Sequence, residues 1–546
     1  MTIPHEVLAQ GWIPFTVVVV LAILFSWFYI RYYQDHSQSE VSSTITGIIA
    51  LFIALMTTAL VPVDIFLVSY MKNDDGSWKP WSANRMNRDD IEETAVATTY
   101  YILYALLAFF VFVIIPFMYF FFEERDEDIT TAERACGALK YSIGFLIVAS
   151  VLLLVGAFAP LKQPPKNVTE WDKRLIFLKD ELKSNNGETA LSLLIGFLTL
   201  IGMLIMITYT AYGMTALPFS LLKGFKSAKT EQESVTRRRS RNQEQARLIK
   251  AQYMGGRAMS SRDRRRLSEL EKEEHALATR ERRLEAAQLG WLNKCLKLLR
   301  PFEMVFGAFF LLVALLIFVS LFITCLDKAL HSNGYQYGYS LPTPQLPNPI
   351  NIIMVYAQIV FPLDYCLFLL VVLYFVYSSM AGIRRVGIRC CWIKLFKVRP
   401  RRTLPQALLF MCVMLMLIVL SLNVMLFSLA PQYVMYGSQN YRANSTVTSL
   451  VNHTGIIQNV TTSHGIAKVC SMEMSSDHCT MTRIAVFLNR FFYKVWFFGA
   501  CYYWGTWLFL VVFMTGLIYS IVRKRKTVVD EEYDSSDDSD EEMVTA

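Results

Sequence analysis

The sequence predicts an all-α, polytopic integral membrane protein with nine transmembrane helices, a lumenal N-terminus, a cytosolic C-terminus and a cytosolic helical hairpin inserted after the fifth span. Three observations carry this. Of 546 residues, 54% are hydrophobic and only 18% charged, against about 25% charged in soluble chains. Nine apolar runs approach or exceed the ~20 residues that a helix needs to cross the hydrocarbon core. Lys and Arg gather in connections that alternate with the runs, as cytosolic loops require. Soluble-enzyme, fibrous and disordered classes are set aside on these grounds.

The runs are 11–30, 45–70, 101–122, 141–161, 191–217, 304–326, 352–383, 407–430 and 495–520. Each is far longer than a barrel strand and lacks period-two alternation, so helices are the way to satisfy the backbone in lipid. The first run has no basic stretch before it and no small-residue cleavage site after it, and is expected to be a retained anchor. The expected pieces are 1–222 with spans one to five, 223–300 as a basic insert, 301–430 with spans six to eight, 431–486 as a glycosylated lumenal loop, 487–522 with span nine, and 523–546 as an acidic tail.

Charge sets the orientation. The connection from Arg384 to Arg402 carries eight Lys/Arg and no acid, and residues 223–300 hold 21 Lys/Arg against 10 Asp/Glu. The overall +8 therefore comes from one insert and does not point to a nucleic-acid partner. With the stop signal Arg523 to Lys526, these segments belong on the cytosolic side. Glycosylation sequons begin at Asn167, Asn444, Asn452 and Asn459, all in the loops assigned to the lumen. Cys470 and Cys479 share the second of these loops, and their spacing suits a disulfide in an oxidising lumen; two free thiols is the other reading.

The insert is rich in Glu, Arg, Ala and Leu and broken at Gly255-Gly256, which reads as two helices joined by a turn. Leu270, Leu277, Leu284 and Trp291 recur every seven residues, half of a coiled-coil seam; packing within the chain is the expectation and packing on a partner helix the alternative. The tail from Asp530 to Glu542 is almost all acid and serine. It is expected to be disordered, with Ser535, Ser536 and Ser539 open to an acid-directed kinase.

Two acids interrupt the apolar runs. Asp64 follows Pro62-Val63 in the second and Asp364 follows Pro362-Leu363 in the seventh. Ionisable groups at mid-span cost about 2.5–3.5 kcal/mol each on insertion scales and are functional candidates by default. At 1.5 Å per residue, Asp64 lies roughly 9 Å and Asp364 roughly 4–5 Å to the lumenal side of the centre of its run. Each proline frees a carbonyl one turn back. One expectation is a lumen-facing cavity whose carboxylates change protonation in an acidic compartment; the other is that each caps or tethers neighbouring helices. An aspartyl intramembrane protease would need G-x-G-D, which neither acid has. The nucleotide loop G-x-x-x-x-G-K-[ST], H-E-x-x-H and G-x-S-x-G are also missing, so no enzymatic activity, prosthetic group or metal site is expected.

The blocks 41–73 (VSSTITGIIALFIALMTTALVPVDIFLVSYMKN), 326–332 (LDKALHS), 361–365 (FPLDY), 379–384 (SMAGIR), 405–410 (PQALLF) and 428–441 (SLAPQYVMYGSQNY) closely resemble the limb-region-1-like (LIMR-type) family of membrane proteins. The resemblance runs in register along nearly the whole chain. It implies a nine-span lysosomal membrane protein supporting cobalamin (vitamin B12) export to the cytosol, with cobalamin as a transported ligand rather than a prosthetic group. The implied partners are a D-subfamily ABC transporter, accompanied from the endoplasmic reticulum, and a cytosolic cobalamin-processing chaperone. Other members suggest a cell-surface receptor or clathrin endocytic adaptor, with passage through the plasma membrane. A chain that itself conducts cobalamin or protons is the further alternative, and homo-oligomerisation is left open. A chain without a nucleotide site must borrow its ATPase. The corrinoid signature D-x-H-x-x-G is missing, so histidine ligation of cobalt in that style is not expected.

Overall fold

Backbone groups in lipid find no water, so each apolar run closes its hydrogen bonds within a helix. The computed structural model describes residues 5–35, 40–73, 75–84, 88, 95–124, 130–158, 186–223, 228–253, 260–289, 291–332, 334–339, 341, 344–357, 360, 363–390, 393–451, 458–470, 479–494 and 496–523. Among these, nine helices are long and apolar enough to cross a membrane. The protein is a mostly helical, polytopic membrane protein.

The chain opens with α1 (His5–Tyr33) and α2 (Val41–Tyr70). The third span is α3 (Ala97–Phe109), a π-helical turn (Phe110–Ile114) and α4 (Ile115–Glu123), the wide turn lying just before Pro116. Next come α5 (Thr131–Phe158), α6 (Asn186–Lys223), α7 (Ala228–Gln252), α8 (Ser261–Leu289) and α9 (Trp291–His331). Then follow the short α10 (Pro349–Ala357), α11 (Leu363–Val386) and a hairpin of β1 (Ile388–Cys390) with β2 (Ile393–Phe396). The chain continues with α12 (Pro405–Leu429), α13 (Pro431–Tyr436) and the antiparallel hairpin β3 (Asn440–Val451) with β4 (Gln458–Val469). It closes with α14 (Arg483–Lys494) and α15 (Trp496–Val522).

One expectation changes here. The seventh apolar run is not a single helix from 352 to 383: α10 ends at Ala357 and a new helix begins at Leu363. Pro362, which cannot serve as a helix-interior donor, lies outside the described residues. Asp364 is therefore in the first turn of α11, roughly 16 Å from that helix's centre at 1.5 Å per residue, instead of the few ångströms reckoned from the unbroken run. By contrast α2 runs unbroken through Pro62.

The chain divides into two compact units. In the larger, residues 1–216 and 313–517, α12 is the axis. It has no charged residue and is apolar on all sides, as a helix surrounded by others must be. Of its apolar window 89% is buried, against 17% for Phe15–Tyr33 and 11% for Thr131–Leu154, which puts those two spans at the periphery. Close packing relies on small residues. A side chain at Gly202 would meet the Leu417 carbonyl of α12, one at Gly213 the Ser378 carbonyl of α11, and one at Gly382 the Tyr209 carbonyl of α6. Thr210 and Ser379 share a hydrogen bond of 2.8 Å at the same crossing.

Two ends of this unit can be told apart. At the basic end, the Arg401 and Thr403 amides donate to the carbonyls of Tyr32 and Tyr33 at the close of α1. There too Arg134 pairs with Glu40 at 3.1 Å and donates to the Phe121 carbonyl. At the other end a disulfide joins Cys470 to Cys479. The smaller unit, 217–312 and 518–546, contains α7 and α8 as an antiparallel pair. Polar contacts zip it: Arg239 to Glu281 at 2.6 Å, Asn242 to Glu273 at 2.7 Å, Gln243 to Glu274 at 2.6 Å, Lys250 to Glu271 at 2.9 Å and Tyr253 to Asp263 at 2.5 Å.

Candidate functional site

Several buried polar groups of the larger unit, Asp64, Asp364, Gln439 and Thr482 among them, meet near the disulfide end. The described residues between 430 and 485 form a block there, with Met435, Tyr436, Tyr441, Cys470, Cys479 and Ala485 as its core. Pro431 begins α13 at its first turn, where a missing N–H costs nothing. Gln439 is fully buried, and both ends of its amide are used. Its Nε2 donates to the Tyr436 and Thr480 carbonyls at 2.9 and 2.7 Å, and its Oε1 accepts the Thr480 N–H at 3.1 Å. Its own carbonyl accepts the Cys470 N–H at 2.9 Å. The side chain and backbone carbonyl of Gln439 together thus tie down both segments at the disulfide. Thr482 ties α14 to α13 by donating its hydroxyl to the Val434 carbonyl at 2.7 Å.

Both intramembrane acids bind this block, Asp64 from α2 and Asp364 from α11. Asp64 is fully buried on α2. Its Oδ2 accepts the Ile484 N–H at 3.0 Å and the Tyr100 hydroxyl at 3.3 Å. A helix's first N–H groups have no intrahelical acceptor and carry its positive dipole end, so a carboxylate there stabilises the helix start. Asp364 is 2% exposed, and its Oδ2 accepts the Tyr433 hydroxyl of α13 at 3.1 Å. Burial, then the charge of Asp364, raises the Tyr433 phenol well above its ordinary value, so it stays a proton donor. One acid holds α14 and the other α13. Among the described residues Asp64 Oδ1 is buried with no hydrogen-bond partner, as is Asn423 Oδ1, whose Nδ2 donates to the Tyr104 hydroxyl at 3.4 Å.

A third anchor comes from residues that the sequence reading passed over. Asn348 caps α10: its Oδ1 accepts the N–H groups of Ile350 and Asn351 at 3.1 and 3.3 Å and the Ser320 hydroxyl. Its Nδ2 donates to Thr324 and to the Leu429 carbonyl, both at 2.8 Å. The Asn-Pro pair at 348–349 is a legible helix start. Asp327, nearly buried at 2% exposure, joins His331 at 2.8 Å and accepts the Gln345 N–H at 3.0 Å. The i,i+4 spacing within 326–332 is a visible signal for that pair. Gln439 leaves no such trace.

Outside the block, the connection after α2 is tied to the base of the β3–β4 hairpin. Lys72 donates to the Asn440 carbonyl at 3.0 Å and lies 4.4 Å from the Trp78 ring centroid. Burial, then repulsion from Arg88, pushes its ammonium down to about 8. Arg442 pairs with Asp75 at 2.5 Å. Hydrogen bonds from the Ser77 hydroxyl and N–H, with Arg442 beside them, hold Asp75 down at about 2. Gly76, at φ +80°, lies against the backbone of Tyr441 and Arg442, a conformation and a space that suit only glycine.

Asn444 stands in β3 opposite Gly465 and Asn459 in β4 opposite Leu450. Asn167, Asn452, Pro362, Ser535, Ser536 and Ser539 lie outside the described residues. Among the described residues no group of three His, Cys, Asp or Glu is placed to hold a metal ion.

Comparison with known proteins adds a family and full-length relatives. A family model described as LMBR1-like membrane protein matches residues 11–304. A protein of Danio rerio named lysosomal cobalamin transport escort protein LMBD1 is 48% identical over 551 residues, covering 100% of both chains. Proteins of the same name from Gallus gallus and Homo sapiens are each 48% identical, over 541 and 536 residues, covering 98% and 97% of each chain. No solved structure matches.

Proposed function

Because this chain belongs to the LMBR1-like membrane protein family, we propose that it is a non-enzymatic escort and adaptor supporting export of cobalamin from the lysosome to the cytosol. The observation that carries this is the 48% identity, over the whole of both chains, to a relative named a lysosomal cobalamin transport escort protein. Location in the lysosomal membrane follows from the same name and from the nine apolar helices.

The geometry favours an escort over a conductor. Asp64 and Asp364 spend hydrogen-bonding capacity on α14 and α13, and the axial helix α12 is packed along 89% of its apolar window. Such acids hold a block against a bundle. In this reading the basic end faces the cytosol and the disulfide end the lumen, with Asn444 and Asn459 accepting glycans there. Energy comes from a partner, a D-subfamily ABC transporter escorted from the endoplasmic reticulum, and the exported cobalamin passes to a cytosolic chaperone.

The test is complementation. Cells lacking their own escort should regain cytosolic cobalamin, followed with a radiolabelled form, when given this chain. Failure to restore it at matched expression removes the reading. A second reading, conduction by the chain itself, draws on one observation, the unpartnered Oδ1 of Asp64 inside the bundle. Vesicles holding the purified chain alone separate the two: an escort gives no cobalamin flux, a conductor does.

A further inference from the structure

The α7–α8 hairpin is basic well beyond what its own pairing uses. Arg239, Gln243, Ala246 and Lys250 form the inward stripe of α7, reaching Glu281, Glu274 and Glu271 or packing against α8. Arg237, Arg238 and Arg241 point away from that stripe. All three are exposed and make no ion pair among the described residues. Further along the chain stand nine acids within the thirteen residues Asp530–Glu542, with no base among them.

The structure brings the roots of these two segments together. Lys223, at the end of α6, donates its ammonium to the carbonyls of Ser520, Ile521 and Arg523 at 2.6, 2.8 and 2.6 Å. The exit of α15 is thereby held at the entry to the hairpin, since α7 begins only five residues after Lys223. From Ala228 to Arg241 a helix rises about 20 Å. A random coil of 19 residues, the sequence separation between Arg523 and Glu542, would span about 24 Å on average. Arg237, Arg238 and Arg241, in the third and fourth turns of α7, are therefore within ordinary reach. Arg264, Arg265 and Arg266, beyond the hairpin's turn, lie at the limit of it.

We propose that Arg237, Arg238 and Arg241 are the docking surface for the chain's own acidic segment Asp530–Glu542, and that phosphorylation of Ser535, Ser536 and Ser539 strengthens this docking. Exposed ion pairs are individually weak. Tethering compensates, because a short linker holds the acids at an effective concentration on the order of millimolar. Each phosphate adds roughly two negative charges and oxygens that match the guanidinium fork. The proposal is independent of which compartment this end faces.

The full chain in neutral phosphatidylcholine discs, with Tyr533 replaced by p-azidophenylalanine, tests it by photo-cross-linking and peptide mapping. The expected cross-links fall within 228–253. They should drop about tenfold in the triple variant Arg237→Gln, Arg238→Gln, Arg241→Gln, and similarly in 1 M salt, where the screening length shrinks to about 3 Å. They should persist in the corresponding triple Lys variant and rise on kinase treatment. Circular dichroism monitors folding, and none of the three residues joins the polar zip of the hairpin. Cross-links confined to residues 523–526, to 262–266 or to lipid overturn the proposal. So does a yield that the Gln variant leaves unchanged, that the Lys variant also loses, or that phosphorylation lowers. Cross-links that vanish when phosphatidylserine is added would make the membrane the true occupant and overturn it too.

Discussion

The Oδ2 atom of Asp64 accepts the backbone N–H of Ile484 at 3.0 Å across 420 positions of sequence. Replacing Asp64 by Ala should cost about 2–3 kcal/mol, because a buried N–H and the Tyr100 hydroxyl lose their acceptor. Asp64→Asn keeps one acceptor oxygen and should cost about 1 kcal/mol. Thermal unfolding in discs measures both. An Ala variant as stable as the wild type would remove the capping role.

Asp364 and Tyr433 should behave as one unit. The single changes Asp364→Asn and Tyr433→Phe each destabilise, and the double-mutant cycle should return a coupling of about 1 kcal/mol. Additive effects would show that the 3.1 Å contact contributes nothing.

The pair Asp75–Arg442 is set to survive acid. A carboxylate whose folded pKa is depressed contributes stability that is present above its unfolded value and lost as pH falls through the folded one. With Asp75 at about 2 against an ordinary 3.8, that window lies between those two values. Hydrogen exchange at residues 72–78 and 440–442, corrected for intrinsic rates, should therefore be the same at about pH 7 and about pH 5. Asp75→Asn should speed it at both. Loss of protection near pH 5 in the unmodified chain would contradict the assignment.

Gly213 and Gly382 face carbonyls across the same helix crossing. Gly213→Val or Gly382→Val should each lower stability by about 3 kcal/mol or more, since the obstruction is backbone rather than a mobile side chain. The double variant should cost less than the sum, because the first change already separates α6 from α11. Expression and monodispersity in detergent report this directly.

Removing the covalent link by Cys470→Ser with Cys479→Ser should cost about 3 kcal/mol for a loop of this length. Gln439→Ala should lower stability further, as it strands the Thr480 N–H that its Oε1 accepts. An unchanged melting curve for the double Ser variant would mean that the network of Gln439 alone holds the block.

Apolar run length was enough to read the nine spans, because in lipid a helix is obliged by local hydrogen bonding alone. The hairpin of α7 and α8 was legible for a similar reason, its Gly-Gly break and charge pattern being local. The seventh run misled because apolarity does not distinguish a membrane span from a short helix packed beside one, and the break falls where Pro362 precedes α11. Asp64 and Asp364 stood out from sequence by the cost of burying charge. Their partners did not: Ile484 offers only a backbone N–H, which every residue but proline has, and Tyr433 is one tyrosine among 27. Such pairings depend on how α2, α11, α13 and α14 come together, and that is decided by close packing of helices distant in sequence, which no local pattern encodes.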